Sequence, residues 1–587
     1  YNLGKDKAKD KDGARLIRLF CVPRADGAKN RETNPEDWKR FVNYCRLDVE
    51  AERELYRRLP KINRTGRERD LAVIDAEINR RGMLMDVDLA RAAVDLMEHH
   101  GAELRAQTME LTDGALDTTT RTQATIDYIK DTWGIELANL RKGEIEHLAE
   151  SPDLPEPMKE LLRIRLNAAK AGVKKFQSLL NCANSDGRLR GCLQFRGASR
   201  TGRFSGRLFQ PQNLARPTMK DEPIEDAIEA VKRGDLDLLY SPSEFPAVLS
   251  NCLRGAIIVP EGKRMVVADY SNIEGRVLAW LAGESWKLDA FRAYDAGTGP
   301  DLYKLTYSKA FSVPVESVTK AQRQMGKVLE LAMGYGGGPG AFVTFAMGYG
   351  IDLHDMAKAT LPVVPADVRD EAERAYEWAA TTPKRLCDIK NSQEPLVELL
   401  CGLEHDVWIA CDSVKRLWRR ANPHIVAFWG RVEEACVASL QTYCTEHLHR
   451  GLKTWASKGW LGIALPSNRT LLYPSARVGT EDEGCTFSYM GVHQMTRKWQ
   501  RIKTYGGKVV ENITQAVACD VLCNALFNVG RAGFEPILTV HDEILTEAPD
   551  DDAHDFKQLE AAMEILPRWA KGLPLAAAGF NSYRYHK

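Results

Sequence analysis

Two strand signals that lie far apart in the chain, each tipped by an acid, limit the fold more than any other feature of this sequence. In "KRMVVADY" an apolar run leads straight into Asp269, and a helix pattern with apolar residues at Ile273, Val277, Leu278 and Leu281 follows. In "PILTVHDEILTEA", residues 536–548, the β-prone residues Ile537, Leu538 and Val540 and then Ile544, Leu545 and Thr546 flank His541, Asp542 and Glu543. This predicts a tight hairpin with acids at its bend. Each acid has a plain explanation when taken alone. Asp is a common turn residue because its side chain bonds nearby backbone amides, and Asp269 suits the N-cap of the helix after it. Only a sheet that pairs the two runs can bring Asp269 and Asp542 together. Their carboxylates would then repel unless divalent cations bridged them. Mg²⁺ takes hard oxygen ligands, a few carboxylates plus substrate phosphates, and two such ions can activate a hydroxyl and stabilise a leaving phosphate in an in-line displacement. The pair therefore points to phosphoryl transfer.

Two cationic features accompany the acids. In "KAQRQMGKVLELAMGYGGG", Arg323, Lys327, Leu331 and Tyr335 are spaced by four and form one slowly drifting helical stripe. The two cations suit the β- and γ-phosphates of a nucleotide, and the distal residues can pack on its sugar and base. A plain amphipathic helix with a solvated basic edge has the same pattern. Residues 191–220 carry Arg196, Arg200, Arg203, Arg207, Arg216 and Lys220 and no acid, among Gly, Ser, Gln and Asn. Such a run can track a phosphate backbone while Arg, Gln and Asn reach groove edges. A solvated loop is the alternative, although loops usually mix charge signs. The chain's 81 Lys plus Arg cancel its 81 Asp plus Glu, so nucleic-acid binding has to come from local basic surfaces.

At 587 residues the chain is long enough for two to four domains or one multi-lobed enzyme. Its 44% hydrophobic and 28% charged residues are ordinary for a globular protein. The thirteen cysteines include no C-x-x-C pair, and Cys519 and Cys523 sit in a helix-like run, so a reducing compartment without a zinc site is expected. No stretch reads as the ~20 apolar residues that span a bilayer. The N-terminus has neither a signal core nor an initiator Met, which suggests a piece of a longer chain. Helix signals occupy residues 35–60, with Asn34 or the acids after it as caps, then residues 71–180 apart from "SPDLPEP", and a Trp-rich block over about 368–448. "LPSNRTLLYP" reads as a turn between strands, and "NITQAVACDVLCNALFNVG" as a helix before the hairpin. Helices inserted between widely separated strands predict an α+β palm-like sheet carrying two helical lobes.

With these pieces in order, the chain resembles the family A DNA polymerases, the DNA polymerase I type, and especially their bacteriophage or prophage branch. "DYSNIEGR", "RQMGKVLELAMGYG" and "VHDE" look like that family's motifs A, B and C. "TGRFSG" with "PQNL" looks like its template-primer segment, and "ENITQAVACD" like the helix with a primer-contacting glutamine. Five motifs in order make chance similarity improbable. The resemblance implies an α+β right-hand fold, a palm with an antiparallel sheet and helical fingers and thumb, preceded by a remnant of a 3′–5′ exonuclease domain. The implied division is exonuclease remnant 1–65, thumb and connecting helices 66–185, palm 186–290, fingers 291–455 and palm again 456–587. It also implies template-directed addition of dNTPs to a primer 3′-OH in DNA replication, with release of pyrophosphate.

Position by position, the resemblance puts two Mg²⁺ ions, for which Mn²⁺ can substitute, on Asp269, Asp542 and the Tyr270 carbonyl, with Glu543 close by. Asp269, Asp542, Glu543 and Lys327 are the implied catalytic residues. Arg323, Lys327, Leu331, Tyr335, Glu274 and Tyr303 are the implied nucleotide site, Glu274 excluding a ribose 2′-OH. Arg203, Gln212, Asn213, Arg254, Gln515 and His541 are the implied contacts to primer-template DNA. The resemblance further implies a monomer that works without a membrane in the cytoplasm of a bacterial host. Three departures stand out: Leu331 where the family usually has Phe or Tyr, Tyr303 where it often has His, and an insertion over about 361–410. "YCRLDVEAE" resembles the last proofreading motif through Tyr44 and Asp48, but the other exonuclease acids are not seen before Tyr44, so no 3′–5′ activity is expected. Other readings are a single-subunit RNA polymerase, which Glu274 opposes, a silent DNA-binding scaffold, which two retained acids oppose, and a nuclease acting through Asp48.

Overall fold

The run "KRMVVADY" forms the strand Lys263–Tyr270, and it lies inside a four-stranded antiparallel sheet. On one side it pairs with Glu543–Pro549, which continues to Glu535–Val540, and on the other with Ala577–Ser582. Both faces of this sheet are covered. Val266, Ala268 and Ile544 pack into a core with the helices Ile273–Ala282 and Gly506–Arg531. Met265, Val267 and Leu545 point the other way, into a core with the helices Val87–Leu111, Gly172–Cys182, Asp221–Arg233 and Phe245–Cys252. Burial on both sides is why the strand sequence is continuously apolar instead of alternating.

This computed structural model describes residues 12–586 apart from 23–28, 60, 138, 141–144, 146–147, 169–171, 382–402, 481–484 and 494–495. The chain divides into two units, Tyr1–Glu68 and Arg69–Lys587. In the first, the helices Gly13–Cys21 and Pro35–Arg58 meet through the rings of Phe20, Trp38 and Phe41, and Arg15 bridges Asp12 and Asp37. Asn34 stands at the N-cap without a side-chain cap bond, and Pro35 in the first turn starts the helix. Tyr44 is buried there, whereas Asp48 is exposed.

Three expectations need correction in the larger unit. The region read as helical over 71–180 contains the strand Met83–Met85, which pairs with Arg188–Leu189 and with Ile257–Ile258. Gly82, at a φ of 65°, ends the preceding helix, and three residues are too few to show a strand period. The Trp-rich helical block stops at Thr442, not near 448, and its described helices are Ala366–Thr381, His405–Ala421 and Pro423–Thr442. Part of the expected insertion, residues 382–402, lies outside the described residues. Finally, the helix Gly506–Arg531 is long and apolar enough to cross a membrane, but most of its apolar stretch is buried inside the protein.

One buried acid carries a stability prediction. Asp75 is 8% exposed, and burial lifts its pKa to about 6 although Asn79 donates to it (3.1 Å). A raised carboxylate pKa adds stability at low pH, and that contribution is lost as pH rises from the ordinary value of 3.8 through 6. Asp75→Asn should therefore stabilise the protein at pH 8 by about 1–3 kcal/mol. The gain should disappear near pH 4, as read from urea midpoints at the two pH values.

Candidate active site

The sheet register brings the two distant acids together. Asp269 lies opposite Glu543 on the neighbouring strand, and the Tyr270 N–H donates to the Asp542 carbonyl at 3.3 Å. Directly opposite side chains in an antiparallel pair, here Asp269 and Glu543, have Cβ atoms roughly 4.5–5.5 Å apart, and Asp542 is the next residue along the hairpin. The cap explanation for Asp269 loses its basis here. The helix Ile273–Ala282 is capped by Asn272, whose side chain accepts from the Gly275 N–H at 3.3 Å, which leaves Asp269 at the strand end. The left-handed position of the hairpin bend is taken by His541 (φ 57°), so Asp542 does not serve that turn geometry. Asp269 and Asp542 are half-buried, and Glu543 is buried at 4% exposure.

Glu543 faces the interior beside Tyr585. Burial raises the Tyr585 pKa well above the ordinary tyrosine value, and the negative charge of Glu543 adds to this. Arg254 donates to the same hydroxyl at 3.1 Å and to the carbonyls of Leu214 and Ala215, both at 2.9 Å. Arg254, read from the sequence as a DNA contact, is thus a buried tie beneath the acids. Arg254→Ala should leave several buried acceptors unpaired, at about 1–3 kcal/mol each. Melting should drop by several degrees while the salt slope of DNA binding stays that of the parent.

The carboxylate of Glu274, in the first turn of Ile273–Ala282, is held from two sides. The Tyr335 hydroxyl donates to one oxygen (3.2 Å) and Arg203 to the other (3.0 Å). Burial, then the nearby Glu274, pushes the Tyr335 pKa far above its ordinary value, so the phenol remains a donor. Glu274 and Tyr335 border a cleft of about 450 Å³ whose walls include Leu331, Tyr303, Tyr505, Lys508 and Gln515. Close backbone contacts shape it. A Cβ on Gly326 would lie 2.1 Å from the Tyr303 carbonyl oxygen, and one on Gly507 2.4 Å from that of Tyr335.

The cationic stripe is only partly one helix. Lys320–Met333 starts at a capping box formed by Thr319 and Gln322 and carries Arg323, Lys327 and Leu331, whereas Tyr335 lies beyond its end. The bend holds because Trp429 donates its indole N–H to the Gly334 carbonyl at 3.0 Å. Arg323 pairs with Asp301 (2.7 Å) and covers the Tyr303 ring (5.4 Å), and Lys327 lies 4.6 Å from the centre of the Tyr349 ring. Partial burial, then Arg216 and Arg323, lowers the Lys327 pKa. His541 is exposed at the bend, yet partial desolvation by its neighbours, then Arg203, lowers its pKa, with Arg216 also contributing. Arg216 therefore sits within electrostatic reach of both the cationic helix and the acidic hairpin. The sequence showed it only as one cation in a run.

That run is divided between internal ties and free surface. Arg196 pairs with Asp520 (3.4 Å), and Arg469, which sequence reasoning missed, holds Asp520 at 2.6 Å and the Thr201 carbonyl at 2.9 Å. This anchors the "TGR" turn, and with it Arg203, on the helix that carries Gln515. Gln212 donates to the Thr539 carbonyl on the hairpin (2.9 Å), and Asn213 to the Gln210 side chain (3.0 Å). Arg207, Arg216 and Lys220 are exposed.

Residues 140–344 match DNA polymerase family A, a span that takes in Arg203, Asp269, Glu274 and the cationic helix but stops before Asp542. A DNA polymerase of Bacillus phage SP02 is 36% identical over 99% of this chain and 81% of its own length. The chain belongs to DNA polymerase family A. A shorter match joins this polymerase to DNA polymerase I of Pseudomonas aeruginosa, 38% identical over 14% of the chain and 9% of that enzyme. The polymerase also shares its fold with the POL domain of Pol1 from M. smegmatis, solved in complex with DNA primer-template and dNTP. That match has a TM-score of 0.52 and 15% identity, and covers 99% of this chain and 79% of the other. The α+β right-hand fold and DNA-directed DNA polymerase activity read from the sequence are borne out.

Polymerases of this family are metal-dependent. Among the described residues no three or more His, Cys, Asp and Glu side chains form a ready metal cage. A complete cage is not what Mg²⁺ requires, since it keeps waters and substrate phosphates and takes only one or two protein carboxylates. The donor set of Asp269 and Asp542, hard oxygens at a strand end and at the adjoining hairpin bend, fits that demand.

Proposed function

We propose that Asp269, Asp542 and the Tyr270 carbonyl hold two divalent cations, Mg²⁺ or in its place Mn²⁺, and that the cleft beside Glu274 receives the incoming dNTP on a DNA primer-template. When bound, such ions would favour the ionised primer 3′-OH and neutralise charge on the departing pyrophosphate. The primer 3′-oxygen bonds the α-phosphorus as the link from that phosphorus to the β-phosphate oxygen breaks. Arg323 and Lys327 bind the triphosphate tail. Lys327, with its lowered pKa, is suited to pass a proton to the leaving pyrophosphate. Tyr335 lies at the template-base end, Tyr303 and Leu331 border the nucleotide, and Glu274 closes the space a 2′-OH needs. Arg203 and Gln515 contact the primer-template, with His541 near the primer terminus. Gln212 and Asn213 act by shaping the loop against the hairpin. Glu543 and Arg254 act as supports beneath the acids.

The observation that carries this reading is the register that sets Glu543 opposite Asp269 and ties Tyr270 to Asp542. We assign the thumb to 66–185, the palm to 186–290 and 456–587, and the fingers to 291–455. Extension of a labelled primer on a defined template with Mg²⁺ and dNTPs tests the whole. No extension, or extension that ignores template sequence, would refute it. In the same assay without dNTPs, this 587-residue chain should not shorten the primer, because Asp48, the acid of the proofreading-like motif, is exposed on its helix and two-ion cleavage needs several acids converging on one site. Mg²⁺-dependent shortening would show that the exonuclease remnant is active.

A further inference from the structure

We propose that the hairpin of Phe487–Val492 and Trp499–Thr504 is a platform for single-stranded DNA, the unpaired template on its way into the cleft. This rests on the reading of Tyr335 as the template-base end.

One face of the hairpin is spent on the core, where Phe487 and Tyr489 are buried. The other face carries Trp499, 61% exposed, directly across from Val492, 46% exposed. Lys503 is exposed farther along the same face, and Arg497 and Lys498 are exposed at the tip. Arg501, between them, is held by the Ser475 carbonyl (3.1 Å) and the Ser488 hydroxyl (3.2 Å). Among the described residues the side chains of Arg497, Lys498 and Lys503 make no ion pair, and residues 484–510 contain no acid. An exposed indole among cations that make no ion pair with a described residue suits a ligand with both phosphates and open base faces, since any base stacks on an aromatic ring whatever its sequence. A duplex hides its base faces. A protein partner would be expected to find a larger apolar patch than two residues.

Position favours the template as the occupant. The strand Trp499–Thr504 runs directly into Tyr505, which lines the cleft together with Lys508. Tyr505 lies against the turn after Tyr335, 3.3 Å from where a Cβ on Gly336 would be. At about 3.3–3.4 Å per residue, Trp499 stands roughly 20 Å along the strand from that end. Base-stacking and phosphate-binding groups thus continue outward from the cleft.

The test is fluorescence anisotropy of the full chain on two primer-templates, one with a single-nucleotide 5′ overhang and one with about twelve nucleotides, within the usual single-strand site size. The parent should bind the long overhang more tightly. Trp499→Ala should weaken that complex by roughly 5–10-fold and leave the short one unchanged, and Trp499→Phe should restore most of the difference. Replacing Arg497, Lys498 and Lys503 by Ala should lower the salt slope on the long overhang by about two, at ~0.7 per phosphate contact. A parent without overhang preference, variants that match the parent on both DNAs, or equal losses on both would each overturn the proposal. Extension of the short-overhang substrate by the parent reads the polymerase assignment separately, because it does not require the hairpin.

Discussion

Asp542→Ala is expected to abolish primer extension while leaving primer-template binding within a fewfold of the parent. Asp542 sits in the hairpin bend whose next residue, Glu543, lies opposite Asp269, and two half-buried carboxylates drawn together there would be costly without cations to offset their repulsion. A metal at such a site supplies several kcal/mol of transition-state charge stabilisation, which at 1.36 kcal/mol per decade is a loss of roughly 10³-fold or more in rate. Asp269→Ala should do the same. Because the two acids act as one unit, the double variant should be little worse than either single one. Multiplicative losses would mean that they do not share a site, and extension at parental rates by either variant would remove the phosphoryl-transfer centre from the sheet.

The second large effect is expected in sugar selection. Glu274→Ala should raise ribonucleotide incorporation relative to deoxynucleotide by roughly 10²-fold, the scale at which a steric and polar mismatch in a closed pocket discriminates. Here the gate is a clasped group, since Tyr335 and Arg203 both hold its carboxylate. Removing it also frees those two side chains, so deoxynucleotide kcat/KM should fall as well. Glu274→Gln keeps the volume and can still accept from Tyr335, and it should retain most of the discrimination. Unchanged selectivity in both variants, from single-turnover assays with matched dNTP and NTP, would take the gate role away from Glu274.

Much of this site was legible along the chain because its parts are local patterns. An apolar run ending in Asp269, a spacing of four through Arg323, Lys327 and Leu331, and a hairpin around Asp542 are each set by neighbours within a few residues. Features that rest on distant partners were not legible. The strand Met83–Met85 exists because Arg188–Leu189 and Ile257–Ile258 pair with it, and nothing within three residues announces that. Arg254 looks like any surface arginine until the fold closes Tyr585, Leu214 and Ala215 around it. Tyr335 continues the spacing of the stripe, yet the helix ends before it, because Trp429 holds the Gly334 carbonyl from another helix.

The sequence by itself determined which residues could do the chemistry: an acid at the end of an apolar run and another at a hairpin bend, a pair of cations on one helical face, and an acid-free arginine run. Their roles were decided by the tertiary structure. Asn272 takes the cap that Asp269 could have made, and His541 takes the left-handed position of the bend. Register across the sheet then sets Asp269 opposite Glu543 and ties Tyr270 to the Asp542 backbone. The physical reason is one of range. Caps, turns and helical stripes are settled by bonds within a turn or two of the backbone, whereas a carboxylate pair or a buried guanidinium gains its meaning from the charges and oxygens that packing brings up to it.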